Sequence, residues 1–357
     1  MAGINGRDVK VAYKIATTWG TAASVTKQIN LRTLEGFQAK PGVVTDESFN
    51  QTFIGEGEVG DYAPTTPELV LDLRYDGAAP VMLALAMGSA SAPSVVSSVA
   101  AGSLVAYEHT LTLANDLTKF CTMAAMYGTG VPHLVMEVPS LKPRGFSLAV
   151  GDNGKMQISV PCVGNKTVYN STVNINSTIA PAAADALTNR VFRKQGVFKM
   201  NRMSAGSLVA GDAQNIREFN LTYARPLADA DHVFGQDYII EADDDGWAEF
   251  TAELVYPRMT SANANSLVVM FPNGEHLKAS FVFTGAYINS MSTYVAWFNF
   301  PAMQVTEWAA PVTGHNLVRP IAKVALRQAS VAPTGFGTTV TPLSLSITNM
   351  NSANLLT

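Results

Sequence analysis

Alternation of apolar and polar residues with a period of two is the feature that most limits the folds open to this chain. Because successive side chains of a β-strand point to opposite faces, this period predicts strands with one buried face. Gly151-Asp152-Asn153-Gly154 separates two such runs and has the chemistry of a hairpin turn, since Asn-Gly readily takes positive φ angles. The pattern therefore predicts a mainly β chain, with strands at Glu68–Tyr75, Leu134–Val138, Gly145–Val150, Lys155–Val160, Phe219–Tyr223, Trp247–Tyr256, Lys278–Phe283, Tyr294–Phe300 and Pro320–Arg327.

Helical patterns are few: Pro80–Met87 is the clearest, and Pro181–Leu187 and Ala262–Met270 are weaker. The first lies in a stretch without charged residues, but its strongly apolar part ends at Gly88, and small polar residues with a proline follow. A membrane-spanning helix needs about 20 mostly apolar residues. We therefore expect a short buried helix, then a flexible loop at Ser89–Leu104, and no transmembrane segment.

The two halves of the chain resemble each other, which predicts an internal duplication. Phe37 faces Phe219 at an offset of 182, and Leu71–Tyr75 faces Ala252–Tyr256 at an offset of 181. Further on, Glu137-Val138-Pro139 faces Asn299-Phe300-Pro301 at an offset of 162, because the second half lacks the loop at Ser89–Leu104. We predict a first domain at 1–178 and a second at 185–357, with the boundary near the Ala/Pro stretch Ile179–Ala184.

Charged residues make up only 15% of the chain, against roughly 25% in a typical soluble domain. The low charge and the 47% of hydrophobic residues exclude intrinsic disorder. The net charge of −4 excludes a protein that binds nucleic acid through bulk positive charge. Either small polar residues cover the surface, or much of the surface is buried against other chains.

Patterns typical of catalytic, cofactor or metal sites are missing from the sequence. The two cysteines, Cys121 and Cys162, fit buried apolar positions, and none of the five histidines has the spacing of metal ligands. Asp243-Asp244-Asp245-Gly246 lacks the glutamate of a calcium loop and is interpreted as a solvated acidic turn. Gly55–Gly60 is a near-miss for a phosphate-binding loop, with acidic residues that would repel a pyrophosphate, so a polar loop is the better interpretation.

Two further patterns bear on alternative functions. Glu249 and Glu253 are the one pair of strand carboxylates that could suit a carbohydrate-active enzyme, but strand rise separates them by about 13 Å. The run Trp297-Phe298-Asn299-Phe300 places aromatic residues on both faces of a strand without the interleaved Lys and Arg of a nucleic-acid platform. We interpret it as core or interface.

Three segments of the chain resemble the major tail tube proteins of long-tailed bacteriophages. Lys10–Ala23, with Thr17-Thr18-Trp19-Gly20-Thr21, is similar to the TTFGT segment near the N-terminus of that family, and Trp19 replaces the usual Phe. Pro67–Gly88 is similar to its strand-then-helix segment, with Ala78-Ala79 in place of an acidic position before the proline. Leu343–Asn349 is similar to its closing strand.

The resemblance implies a mainly β fold of two tandem tail-tube-type β-sandwich or barrel domains, each with a flanking short α-helix. It implies a structural, non-enzymatic virion protein without cofactors or metals, made in the host bacterial cytoplasm and assembled into stacked rings that conduct DNA at ejection. A duplicated tube domain implies trimeric, pseudo-hexameric rings, with hexameric rings as the alternative. The implied partners are further copies of the chain and the tape measure, tail terminator and tail-tip proteins, while DNA passes through the lumen without specific binding and no membrane is involved.

The polar loop at 42–66 corresponds in position to the long loop with which such proteins contact the adjacent ring. The candidate contact residues in it are Asp46, Phe49, Phe53, Glu56, Glu58, Asp61 and Tyr62. Two other functions stay open at this point. One is a head–tail joining protein or another phage structural β-protein, and the other is a carbohydrate-active β-sandwich enzyme.

Overall fold

A computed structural model describes residues 6–38, 40–45, 57–97, 104–128, 134–169, 171–236, 238–260, 274–312 and 316–357. These residues form a mainly β structure, as predicted. The helices are α1 (Ala78–Met87) and α2 (Asn176–Ile179). The strands are β1 (Val9–Ala16), β2 (Lys27–Gln28), β3 (Thr33–Glu35), β4 (Lys40–Thr45), β5 (Gly57–Ala63), β6 (Glu68–Asp72), β7 (Gly88–Ala90), β8 (Ser94–Ser97), β9 (Ala106–Leu113), β10 (Phe120–Tyr127), β11 (Leu134–Pro143), β12 (Gly145–Val150), β13 (Met156–Gly164), β14 (Val168–Tyr169), β15 (Gly196–Arg202), β16 (Ala213–Gln214), β17 (Glu218–Ala224), β18 (Glu249–Val255), β19 (Leu277–Tyr287), β20 (Thr293–Ala309), β21 (Ile321–Arg327) and β22 (Ser344–Asn349).

Helix α1 confirms the clearest helical prediction and is buried along its whole length. All ten of its residues are buried, because the helix packs against β9, β11, β12 and β13. A helix that is apolar on every side must be covered on every side. Gly88 ends it in the left-handed conformation and donates its N–H to the carbonyl of Ala84. No helix among the described residues is both long and apolar enough to span a bilayer.

The helix predicted at Pro181–Leu187 is wrong. The backbone of this segment is bonded to β2 and its neighbours: Ala183 N–H donates to Thr26 O, and Gln28 N–H donates to Ala183 O. Asp185 accepts hydrogen bonds from the N–H groups of Asn30 and Ala78. Ala183 also forms a β-bridge with Lys27, so the segment is held beside β2, and a single helical turn, α2, precedes it instead. The helix predicted at Ala262–Met270 lies outside the described residues.

The turn and loop predictions have mixed outcomes. Asn153 and Gly154 both have positive φ angles, 57° and 71°, in the tight turn between β12 and β13, as predicted. The flexible loop expected at Ser89–Leu104 is wrong for its described part, because β7 and β8 pair there with β9. Cys121 and Cys162 are free and buried, as predicted. Burial raises the pKa of the Cys121 thiol to about 12.

The strand order of the first half recurs in the second half. In the first half, β1 pairs with β10, β10 with β11, β11 and β12 with β13, β13 with β6, and β6 with β3. In the second half, β15 pairs with β19, β19 with β20, β20 with β21, β21 with β18, and β18 with β17. All of these pairings are antiparallel. The 17-residue strand β20 takes the place of β11 and β12 together.

The registers of these pairings recur too, down to an irregularity. Between β10 and β11 the register shifts between Cys121 and Met123, and between β19 and β20 it shifts between Leu277 and Ala279, which are 156 residues later. Their partners on β11 and β20 differ by 162, since Val138 corresponds to Phe300. This is the offset that the sequence gives for the same region.

Near the start of each half, the structural offset differs from the sequence-based one. Thr33 pairs with Val70, and adding 185 to both numbers gives the observed pair Glu218 with Val255. The offset is therefore 185, not 181 or 182. The connection between β6 and β10 is therefore 29 residues (185 minus 156) longer than its counterpart in the second half. We call this longer connection, residues 73–119, the insertion, and it contains α1, β7, β8 and β9.

Two strand pairings join the halves. At the first, β12 pairs with β17, where Gly145 lies opposite Ala224 and the rings of Phe146 and Tyr223 contact edge to face at 5.8 Å. At the second, β9 from the insertion pairs with β22. There the buried His109 lies between two acceptors, with Nε2 at 3.2 Å from Asn349 Oδ1 and 2.9 Å from Asn351 O. Together, the two joints make the described sheet continuous from one half to the other.

Aromatic residues fill the core beneath the second half. Phe219 contacts Phe198, Phe281 and Phe300, with ring centroids 4.9–5.9 Å apart. On β20, Phe298 and Phe300 are fully buried, whereas Trp297 is exposed, so the predicted division of this run between two faces is confirmed.

Replacing Gly145 by Ala tests the first joint. Gly145 has a φ of 113°, and a Cβ there would lie 2.0 Å from the carbonyl oxygen of Tyr223. Since strained backbone and a steric clash each cost about 1–3 kcal/mol, we expect Gly145→Ala to lower the free energy of unfolding by at least about 2 kcal/mol in urea titrations. Gly206→Ala is the matched control, because nothing lies within 4 Å of its Cβ position. Equal stability of the two variants would contradict a tight joint.

The pH dependence of stability tests the second joint. Burial lowers the pKa of His109, so the unfolded chain binds a proton at a higher pH than the folded chain does. His109 therefore favours the folded state less as the pH falls below about 6.5, the pKa of an unperturbed histidine. In urea titrations between pH 7 and pH 5, we expect His109→Gln to lose less stability on acidification than the unchanged chain. The exposed-site control Leu187→Gln, which removes no titratable group, should keep the original pH dependence.

Candidate assembly surfaces

The segment predicted to contact an adjacent ring contains a separate two-stranded ribbon. Strands β4 and β5 pair with each other, Lys40 opposite Ala63 and Val44 opposite Glu58, and with no other described strand. Of the seven candidate residues, Glu58, Asp61 and Tyr62 lie on β5, and Tyr62 is opposite Pro41. Asp46, Phe49, Phe53 and Glu56 lie outside the described residues. The polar loop expected at Gly55–Gly60 is wrong from Gly57 onward, where β5 begins.

Two strand edges that the sequence did not single out are unpaired within the described chain. Strand β3 pairs with β6 on one side only. Past Met303, strand β20 leaves β19 and continues to Ala309 with β21 as its one partner. Unpaired N–H and C=O groups along a strand edge are a template for another strand. The internal repeat could have pointed to these two edges. The equivalent edges in the other half, on β17 and β12, are the ones that pair in the joint between the halves.

A second hairpin, residues 225–248, lies across the first half. The sequence singled out only its acidic run Asp243–Asp245. Lys142 is 2% exposed and donates from Nζ to Glu241 Oε1 and to Ala242 O, both at 2.8 Å. Arg225 binds the carboxylate of Asp244 and the carbonyl of Ala114. The acidic run is exposed, as expected, but Asp244 is held by this ion pair.

A cavity of about 560 Å³ lies where the hairpin meets the first half. Asp116, Lys142, Glu241, Asp243 and Asp244 supply its charged lining. Its buried cation is already matched by Glu241 and a carbonyl, and the described residues contain no group of three or more His, Cys, Asp or Glu arranged to hold a metal ion. The cavity is therefore a gap in the packing between the hairpin 225–248 and the first half.

The carboxylates considered for sugar chemistry do not form a cleft. Glu249 lies opposite Ala224, and Glu253 lies between Asn220 and Lys323 on the neighbouring strands. Neither residue lines the 560 Å³ cavity. Among the histidines, His109 binds between two acceptors at a strand joint, and His232 and His276 are exposed on loops. His133 and His315 lie outside the described residues.

Comparison with known proteins identifies the family of this chain. A search of curated proteins finds no match. A family model described as phage tail tube protein matches residues 6–350, nearly the whole chain. The match includes the strand-then-helix segment of β6 and α1, the ribbon β4–β5 and the closing strand β22. This chain therefore belongs to the phage tail tube protein family.

Proposed function

We propose that copies of this chain assemble into closed rings, and that the rings stack into the tube through which phage DNA is ejected. Membership of the family makes the protein a structural component of the virion tail. The observation that carries the proposal is the repeated strand order, in which one joint is made within the chain and the matching edges are left open. The chain then acts as a building block, without catalytic chemistry, cofactors or metals.

The repeated pairings support two tandem tube domains, at 1–178 and 185–357. If each domain is one segment of the ring, the β12–β17 joint is a model for every joint around it. A joint in which different edges of identical units meet closes into a ring when the rotation permits. Two segments per chain then favour trimeric rings with pseudo-sixfold symmetry over hexameric rings.

The joint between chains follows from the joint within the chain. Phe146 on β12 corresponds to Trp308 on β20 at the offset of 162, and Tyr223 on β17 corresponds to Gln38, just past β3, at the offset of 185. Since Phe146 lies opposite Tyr223, Trp308 of one chain should lie opposite Gln38 of the next. Gln38 is exposed and Trp308 is half-buried, so both are at the surface of a single chain.

The segment 42–66 is proposed to contact the adjacent ring through Asp46, Phe49, Phe53, Glu56, Glu58, Asp61 and Tyr62. Its support is the ribbon β4–β5, whose two strands pair only with each other among the described strands. A ribbon outside the main sheet can reach a neighbour without disturbing that sheet. The ribbon is followed, through Pro67, by β6, so the proposed contact is connected along the chain to the strand that precedes α1.

The charge of the chain suits a conduit for DNA. Binding to phosphate requires neutralisation by Lys and Arg, and the chain has 24 of these against 28 Asp and Glu. We propose that DNA passes through the lumen without specific binding. The other partners are the tape measure, tail terminator and tail-tip proteins, and assembly follows synthesis in the cytoplasm of the host bacterium.

Electron microscopy of the purified chain tests the assembly. We expect negatively stained rings and stacked tubes from the unchanged protein, and folded rings without tubes after deletion of 46–62. Phe49→Ser combined with Phe53→Ser should reduce tube length while keeping the loop length, and Val331→Ser, at an exposed position, is the control. A monomer that does not assemble at high concentration would contradict the proposed rings. Normal tubes from the deletion variant would contradict the assignment of 42–66 to the contact between rings.

Disulfide trapping tests the joint between chains. A chain with Trp308→Cys and Gln38→Cys should give covalent multimers on oxidation, read on a non-reducing gel. The native thiols should contribute little, because Cys121 and Cys162 are buried and burial raises the pKa of both. Trp308→Cys combined with Leu187→Cys is the control, since Leu187 is exposed on the segment between the halves. Equal yields from both pairs would contradict the proposed register.

A further inference from the structure

We infer that residues 225–248 are a second assembly arm, the counterpart of the ribbon β4–β5, and that its tip at Val233 and Phe234 binds a second copy of this chain in the neighbouring ring. The inference rests on the proposed function and extends it to a segment that the resemblance to known tube proteins did not point to. It follows from position, register, docking and exposure.

Position places the two segments in equivalent parts of the fold. The strand pair β3–β6 maps onto β17–β18 at an offset of 185. The ribbon, from Lys40 to Ala63, connects the first pair, and the same offset maps it onto 225–248, which connects the second pair. Each half therefore inserts a segment of the same length between equivalent strands.

Register shows that the second segment is also a hairpin. Leu227 bridges to Asp244 and His232 bridges to Ile239, so both pairs of numbers add to 471. The bonds from Ala228 N–H to Asp243 O and from Ile240 N–H to Asp231 O keep the same sum. In the ribbon, Val43 lies opposite Val59, and their equivalents at 185 add to 472. Nearer the root of the ribbon, the pairs Lys40–Ala63 and Pro41–Tyr62 give 473. The two hairpins thus agree to within two residues.

Docking fixes the root of the second arm, which distinguishes it from an unstructured loop. Leu227, Ile239 and Ala242 are buried against Leu117 and Val163 of the first half. Arg144 pairs with Asp229 at 3.0 Å, and Trp19 donates its indole N–H to Ile239 O at 3.3 Å. Together with Lys142 and Arg225, these contacts hold the arm at both of its strands.

Exposure identifies the tip as the contact surface. A turn closed by Gln236 N–H to Val233 O ends the hairpin, with Gly235 at a φ of 86°. Phe234 is fully exposed and Val233 is 47% exposed. Val233 and Phe234 are thus two exposed apolar residues at the end of a hairpin whose base is held by contacts with the first half. Such a pair is suited to burial against a partner.

Charge favours a second copy over nucleic acid as that partner. Between 225 and 248 the sequence has acidic residues at 229, 231, 237, 241, 243, 244 and 245 and a single cation, Arg225. This acidity would repel a phosphate backbone. The chain itself offers cations, since 190–202 contains five Lys and Arg and no acidic residue. Two of the five, Arg190 and Arg202, already pair with carboxylates of the same chain. The equivalent ribbon is proposed to bind the same kind of partner.

Substitution of the tip tests the inference in the full-length chain. We expect Phe234→Ser to fold as the unchanged chain does and to form rings, but to raise the protein concentration needed for tubes at least tenfold, because one buried aromatic contact per chain is lost. Phe234→Leu should restore most of the assembly, since it keeps an apolar tip. Leu187→Ser, at another exposed apolar position, should assemble normally.

The outcomes separate this inference from the proposed function. Tubes from the unchanged chain together with equal tubes from Phe234→Ser would overturn the inference and leave the proposed function standing. An unchanged chain that forms neither rings nor tubes would overturn both. Loss of rings as well as tubes in Phe234→Ser would place the tip within a ring and overturn its assignment to the neighbouring ring.

Photocrosslinking identifies the partner. A benzoylphenylalanine at position 234 in purified tubes should yield covalent dimers whose linked peptides both come from this chain. Irradiated rings that have not stacked should yield at least tenfold less. Equal yields from rings and tubes, or cross-links confined to one chain, would overturn the inference.

Discussion

The pairing of β12 with β17 is the contact on which the rest of the structure depends. A strand edge is stable only when its N–H and C=O groups are bonded to a partner strand or to water. Here the edge of the first half is completed by the second half, through four residue pairs and the Phe146–Tyr223 contact. The same pairing leaves the equivalent edges at β3 and β20 unpaired among the described residues, so completing one joint defines the next.

The buried helix and the insertion support this joint from either side. Helix α1 packs on β9, β11, β12 and β13, and thus holds together strands from both joints. Strand β9 belongs to the insertion of the first half and pairs with β22, the last of the described strands. His109 and Asn349 bind across that pairing, and Asn349 also donates to the carbonyl of Tyr75, near the start of α1. Strand β22 is therefore fixed to the segment that leads into the helix of the first half.

Sequence periodicity predicted nine of the strands and the buried helix, because both depend on residues close together in the chain. It did not predict β1, β9, β10 or β15. The turn at Asn153-Gly154 could be predicted for the same reason. The helix at Pro181–Leu187 could not be excluded from sequence, since long-range hydrogen bonds made by Ala183 and Asp185 decide its conformation. The resemblance of the two halves could be predicted from sequence, but the predicted offset near the start of each half differs from the observed one by three or four residues. Sequence identity between the halves is too low to define the register there, whereas strand pairing defines it. The hairpin at 225–248 could not be predicted, since its acidic run resembles a solvated turn. Only the strands on either side of it reveal that it is equivalent to the ribbon β4–β5.

Gly145 has a consequence for how a ring of such chains would come apart. Its counterpart at the offset of 162 is Glu307, whose side chain occupies space that the inner joint does not have, since a Cβ at Gly145 would meet the backbone of Tyr223. The inner joint also has the extra pairing of β9 with β22, whereas the described part of the second half has no strand in the place of β9. Tight joints within chains and looser joints between chains would then alternate around the proposed ring. Under tension, the ring would separate at every second joint. The proposed ring would then have threefold symmetry in its mechanical strength, even if its outline has sixfold symmetry.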